Sequence, residues 1–256
     1  MFESRSGVFL IAGIGFFGLA FLANAVVPWM MYRHQPEQTV EETLNRNVLN
    51  QFQDLADRYR DSFGKHFGEP PPKPATTDSA EKRSEMWTAR DSFFRLHCAE
   101  ALRLGRSVYV GEGCWHCHSQ FVRPVSNESR RWGPVAKSWE YNNELQRPVM
   151  FGTRRVGPDL SREGGRRGND WHMVHFFRPR LTSPVSVMPD YPWFFESTDV
   201  SEAIDVGGKH EKVRGPTAPN KRGFAIVTYM QWLGSYLDDY GHYEIGPARP
   251  IEEKRR

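Results

Sequence analysis

The sequence predicts an all-α protein: one membrane-spanning helix, then a helical domain outside the membrane. Three observations lead there. A single uncharged apolar run near the N-terminus is long enough to cross a bilayer. Further along, apolar residues recur at steps of three and four, the period of a helix face. The remaining stretches are rich in Gly, Pro and Arg and lack the period-two alternation of a sheet. The bulk properties agree. A chain of 256 residues suggests one or two domains, and 39% hydrophobic with 25% charged residues excludes a polytopic membrane protein. Eight Trp, 9 Tyr and 17 Phe supply enough large apolar surface to exclude full disorder. A balance of 34 basic against 31 acidic residues does not by itself suggest a nucleic-acid binder. Three cysteines exclude a disulfide-dense scaffold.

The first element is the run from Gly7 to Tyr32, which holds no charge between Arg5 and Arg33. At about 1.5 Å rise per residue it spans a hydrocarbon core of about 30 Å with some tilt. Trp29 and Tyr32 sit at its outer end, where aromatic rings favour the membrane interface. A cleaved signal peptide is the rival, because Ala23-Asn24-Ala25 has the form of a cleavage site. The apolar run continues past it through Val26, Val27, Trp29 and Met31, which favours an uncleaved anchor. Gly13, Gly15 and Gly18 match G-x-G-x-x-G only formally, since no strand precedes them. The small residues Ala12, Gly15, Gly18 and Ala20 either allow close packing against another membrane helix or simply tolerate lipid.

Next, Val40, Leu44, Val48, Phe52, Leu55, Tyr59, Phe63 and Phe67 mark one amphipathic helix. Gly68 to Lys82 carries four prolines and reads as an extended linker. A second helix is expected from about Glu85 to Val110, and a last apolar one from Phe224 to Tyr236. The division expected is therefore residues 1–5 before the membrane, 6–32 within it, 33–84 as amphipathic helix and linker, 85–240 as the main domain, and 241–256 as a charged tail. Long loops without regular structure count against a compact domain unless a large prosthetic group serves as its core.

Cys114-Trp115-His116-Cys117-His118 is such a group's signature. C-x-x-C-H attaches a c-type haem: two thiols on a short turn reach the two vinyl groups, and the histidine lies beneath the iron. A thioredoxin-like pair needs a preceding strand, which is absent from the pattern. A zinc site needs four ligands, and no second paired motif supplies them. Gly105 and Tyr109 precede the motif on a helix, where a small residue lets a second helix cross closely. Tyr229, Trp232 and Gly234 offer the partner face.

A second axial ligand is expected downstream. Met188, in the Pro-rich segment Ser186-Val187-Met188-Pro189, offers a thioether that raises the reduction potential. Met150, Met173, His172 and His175 compete with it. Gly157-Pro158 makes a fixed turn whose carbonyl can orient the His118 ring. Arg154 and Arg155 are candidates for haem propionates or for an interface, with a solvated surface as the bland alternative. Cys98 lies among Phe93, Phe94, Leu96 and Leu102, and reads as a buried free thiol. Thioether formation takes place outside the cytoplasm, so the N-terminus is expected inside and the haem domain in the periplasm.

The runs Gly105–Val125, Gly152–Arg180 and Ser186–Trp193 closely resemble the monohaem cytochrome c subunit (subunit II, FixO/CcoO-like) of cbb3-type cytochrome c oxidases. HSQ-x-x-RP after the haem motif and the WH-x-x-H segment are specific to that resemblance. It implies a class I cytochrome c fold on one N-terminal membrane helix in the bacterial inner membrane. It implies one covalent haem c, with thioethers at Cys114 and Cys117 and His118 and Met188 on the iron. It also implies a non-catalytic role: relaying electrons, alongside other cytochrome c subunits, to a haem–copper membrane subunit that reduces dioxygen to water. The cytochrome c subunit of nitric oxide reductase, with its single anchor, is the alternative. A haem-based ligand sensor requires an open distal position. No nucleic acid and no small-molecule substrate of its own are expected. Residues 40–100 look longer than the family pattern, and the loop from Ser197 to Arg222 departs from it.

Overall fold

A computed structural model describes residues 5–34, 37–196, 204–206, 209–211 and 218–237. The charged tail and most of the Ser197–Arg222 loop lie outside the described residues. The chain divides into two compact units, Met1–Glu37 and Gln38–Arg256.

The first unit is one helix, α1 (Ser6–Tyr32), with a mean hydropathy of 2.2 and none of its side chains buried. Apolar residues point outward all round it, with Phe9 64%, Phe16 74% and Leu19 64% exposed. A helix apolar on every face suits lipid, and its length suits a single crossing. Residues Leu22–Val26 widen to a π-turn directly before Pro28. The proline lacks an N–H and its ring crowds the carbonyl four residues earlier, which accounts for the local loosening. The Asn24 amide stays satisfied by donating to the Ala20 carbonyl at 2.9 Å.

The second unit is built around two crossing helices, α4 (Ala80–Gly111) and α9 (Lys221–Trp232). They meet at Gly105, where an added Cβ would fall 2.2 Å from the Ala225 carbonyl oxygen and 2.7 Å from Tyr229 Cβ. Only glycine permits that approach. One turn on, the Tyr109 and Tyr229 rings pack 5.6 Å apart. Gly234 does not join the crossing; it follows α9 at φ 82°, against the Ser161 carbonyl.

The segment expected as one amphipathic helix and linker is part of the same core. Asn45 caps α2 (Arg46–Arg58) by accepting from the Val48 N–H at 3.0 Å. Tyr59, at φ −117° and ψ 48°, breaks the chain before α3 (Arg60–Phe67). Phe52, Phe63 and Phe67 then pack edge-on or tilted against Phe94 and Phe224 at centroid distances of 5.5–6.3 Å. Each of these five rings is 5% exposed or less. Burying a phenylalanine contributes about 1.5–3 kcal/mol, so this cluster is a main source of stability. The proline-rich stretch is tied down too, since Arg90 donates to the Pro71 carbonyl at 2.6 Å. Helix α4 begins earlier than expected, at Ala80, because the Ser79 side chain accepts from the Lys82 N–H at its first turn.

Four shorter helices carry the loops: α5 (Cys114–Cys117), α6 (Glu128–Trp132), α7 (Asn169–Phe177) and α8 (Pro179–Thr182). A minimal antiparallel hairpin pairs β1 (Ile204–Val206) with β2 (Lys209–Glu211). The described fold is otherwise helical and irregular, and Arg162 and Glu140 form a buried ion pair at 2.6 Å.

Candidate haem centre

The attachment motif sits just past the end of α4. Gly113, at φ 70°, turns the chain out of that helix, and Cys114 to Cys117 form a single turn closed by the His118 N–H to the Cys114 carbonyl at 2.9 Å. One turn puts the two thiols on the same side, as attachment to a single porphyrin edge requires. Cys114 is half-buried against the core and Cys117 is exposed; neither is in a disulfide. Burial raises the Cys114 thiol pKa to about 12.

A strap comprising residues 150–160 runs beside the motif. Gly157 N–H donates to the Cys117 carbonyl at 3.0 Å, Leu160 N–H to the Ser119 carbonyl at 2.8 Å, and Gln120 N–H to the Met150 carbonyl at 2.7 Å. The Pro158 carbonyl lies 2.8 Å from His118 Nδ1. Gly157 is pressed on the ring itself: an added Cβ would lie 2.3 Å from His118 Cε1 and 2.7 Å from both nitrogens. With Nδ1–H directed at a carbonyl, the tautomer is set and Nε2 keeps its lone pair. Burial lowers the His118 pKa, while the Pro158 carbonyl opposes the shift. The ring is held neutral, as a metal-ligating imidazole must be.

Sequence reasoning missed the residue that ties this arrangement together. Asp159 is 1% exposed. It accepts from Ser119 Oγ at 2.5 Å, Phe121 N–H at 2.8 Å and Ser161 N–H at 2.9 Å, fastening the chain on either side of His118 to the strap. The available signal was a carboxylate directly after the Gly-Pro turn. Arg155 is turned inward to the same knot. It donates to Ser119 Oγ at 2.5 Å, pairs with Glu128 and reaches Asp159 at 3.6 Å. Its guanidinium is thereby engaged within the fold. Arg154 is exposed and lines an adjoining cavity with Pro158.

Met188 lies on the loop after α8, partly buried and packed on the edge of the core. Its N–H donates to Ser186 Oγ at 3.2 Å. The chain just beyond it reaches the residues before the motif, where Trp193 Nε1 donates to Glu112 Oε1 at 3.2 Å. The competing ligands are wholly or partly buried. Met150 (8% exposed), Met173 (3%) and His172 (3%) are buried in the interior. The His175 ring stacks on Trp171 at 4.4 Å and its Nδ1 meets Thr182 Oγ1 at 2.6 Å. Burial, then the nearby His118, lower the His175 pKa to about 4. Cys98 is fully buried, and burial raises its thiol pKa.

The donor set fits a haem. Two thiols share one turn, a neutral imidazole has its second nitrogen pinned, and a thioether stands on a nearby loop. Among the described residues there is no group of three His, Cys, Asp or Glu side chains that would hold a bare metal ion. Residues 96–216 match the family model described as cytochrome c oxidase, mono-haem subunit/FixO. That span contains the motif, the strap and the Met188 loop. No curated protein matches the chain.

Proposed function

We propose that this member of the FixO family of mono-haem cytochrome c oxidase subunits is the membrane-anchored electron relay of a cbb3-type oxidase. The observation that carries the reading is the His118 ring, pinned between the Pro158 carbonyl and Gly157 one residue after a two-cysteine turn. The haem supplies a one-electron iron couple when bound. The Cys114 and Cys117 thiols would tether it covalently, and His118 Nε2 and the Met188 thioether would ligate its iron. Pro158 orients the imidazole through Nδ1, and the hydrogen bonds to Asp159 keep the strap against it. The protein passes electrons on to a haem–copper membrane subunit and works beside other cytochrome c subunits. Helix α1 holds the relay to the inner membrane, with the N-terminus in the cytoplasm and the haem domain in the periplasm. Docking is then intramolecular in effect, at high local concentration.

Haem-stained denaturing gels of membranes carrying Cys114→Ala or Cys117→Ala test the attachment. Staining should fall in both variants, and full staining in both refutes it. Deleting Met1–Tyr32 and exporting the remainder should give a soluble, reducible cytochrome that restores oxygen uptake poorly in cells lacking the subunit. Full rescue refutes the anchored relay. Rescue of nitric oxide reduction instead of oxygen uptake reassigns the complex. Ready carbon monoxide binding to the reduced native haem would favour a ligand sensor.

A further inference from the structure

A second site lies behind the strap. Arg123, Arg131, Arg154 and Arg155 line one open cavity of about 470 Å³, together with Glu128 and Trp132. Its walls include Gly157 and Pro158, which touch the His118 ring, but neither thiol nor the imidazole itself. Four arginines and a single carboxylate residue therefore line it, and that carboxylate is already paired with Arg155. Arg123 donates to the Phe151 carbonyl at 3.1 Å and Arg131 lies over the Trp132 ring at 4.5 Å, so both are positioned rather than free to swing. Arg154 makes no ion pair or hydrogen bond among the described residues.

The backbone around the cavity is also unusual. Among the described residues the two non-glycine positions with positive φ are Ser126 (53°) and Arg155 (50°), and both line it. Left-handed conformations at such residues are costly and collect at functional sites. The N–H groups of Arg154, Arg155 and Val156 donate to no group among the described residues. Successive free N–H groups beside a left-handed residue are the makings of an anion-binding concavity.

We propose that this cavity binds a phosphate-class oxyanion, as free phosphate or as the phosphate of an anionic lipid headgroup. Counting the Glu128 and Asp159 carboxylates that Arg155 engages, the four guanidinium groups leave a surplus of about two positive charges; a carboxylate brings one negative charge, whereas a phosphate group brings up to about two and offers the forked oxygens that arginine pairs with bidentately. The membrane anchor keeps lipid headgroups at high local concentration, which makes them a ready source. The site does not depend on the haem reading.

The test uses the full-length holoprotein in nanodiscs of phosphatidylcholine, with and without phosphatidylglycerol, read by hydrogen exchange over residues 126–132 and 153–158. Inorganic phosphate is titrated in separate arms. The comparison is the double variant Arg131→Gln/Arg154→Gln, two exposed positions outside the core. Protection on adding phosphate, weakened about tenfold or more in the double variant, establishes a free-anion site. Protection that appears only with phosphatidylglycerol, and is lost in the same variant, establishes a headgroup site. No protection from either source, or protection unchanged in the double variant, overturns the proposal. So does protection that appears only in the assembled oxidase, which would mark a protein contact.

Discussion

Replacing Gly157 by alanine tests the architecture of the haem centre at one atom. The new Cβ would meet His118 Cε1 at 2.3 Å and both ring nitrogens at 2.7 Å, where ordinary contacts begin at 3.4 Å. Relief requires about 1 Å of movement by the ring or the strap, since the overlap is of that size. The strap cannot retreat freely, because the Gly157 N–H is bonded to Cys117 O at 3.0 Å and the Pro158 carbonyl to the His118 ring at 2.8 Å. Losing those two hydrogen bonds costs about 1 kcal/mol each. Overpacking adds about 1–3 kcal/mol, and the stiffer unfolded chain returns about 0.4–1 kcal/mol. The net loss is about 2–4 kcal/mol, which lowers the melting temperature by about 5–15 °C in a domain of this size. The reduction potential should rise, because a His118 ring that no longer donates to Pro158 is a less basic ligand and favours ferrous iron. Thermal melts followed by far-ultraviolet dichroism, together with redox titration, read both effects. Gly111→Ala is the control, with nothing within 4 Å of its added Cβ. An unchanged melting temperature and potential in Gly157→Ala would refute the reasoning.

Three further outcomes are expected. Met188→His should retain the haem and lower its potential by at least about 0.1 V, a modest part of the range axial ligands span; an unchanged titration moves the distal ligand, with His175 next in line. Cys98→Ser should leave haem content intact and cost about 1–2 kcal/mol in chemical denaturation, because the site is fully buried and a hydroxyl there lacks a partner; rapid labelling of the native thiol would contradict it. Glu163 is buried, which raises its pKa from 4.5 to about 7. The folded state then binds more protons than the unfolded state across that window, so stability falls as pH rises through it, by about 3 kcal/mol at most. Glu163→Gln should flatten the profile and gain most at alkaline pH, as read by denaturation at several pH values; a variant with the wild-type slope refutes the assignment.

The sequence by itself determined the features that are local. Helix α1 follows from an unbroken run of apolar residues, and lipid asks nothing of it but length and apolarity. The Cys114–His118 motif is legible because its geometry is complete within one turn. The crossing of α4 and α9 is legible from Gly105 and Tyr109, since close helix approach has few residue solutions. The rest depended on which distant groups meet. Periodicity ran straight through Tyr59, because a helix break that reorients two apolar faces leaves their spacing intact. That Phe52, Phe63 and Phe67 share a core with Phe94 and Phe224, rather than leading to a separate linker, needed the whole chain. Arg154 and Arg155 are adjacent and identical in sequence. Both border one cavity, but the Arg155 guanidinium is drawn inward by Glu128, Ser119 and Asp159, while Arg154 stays exposed. A side chain's partners are fixed by long-range packing, and no local pattern records them.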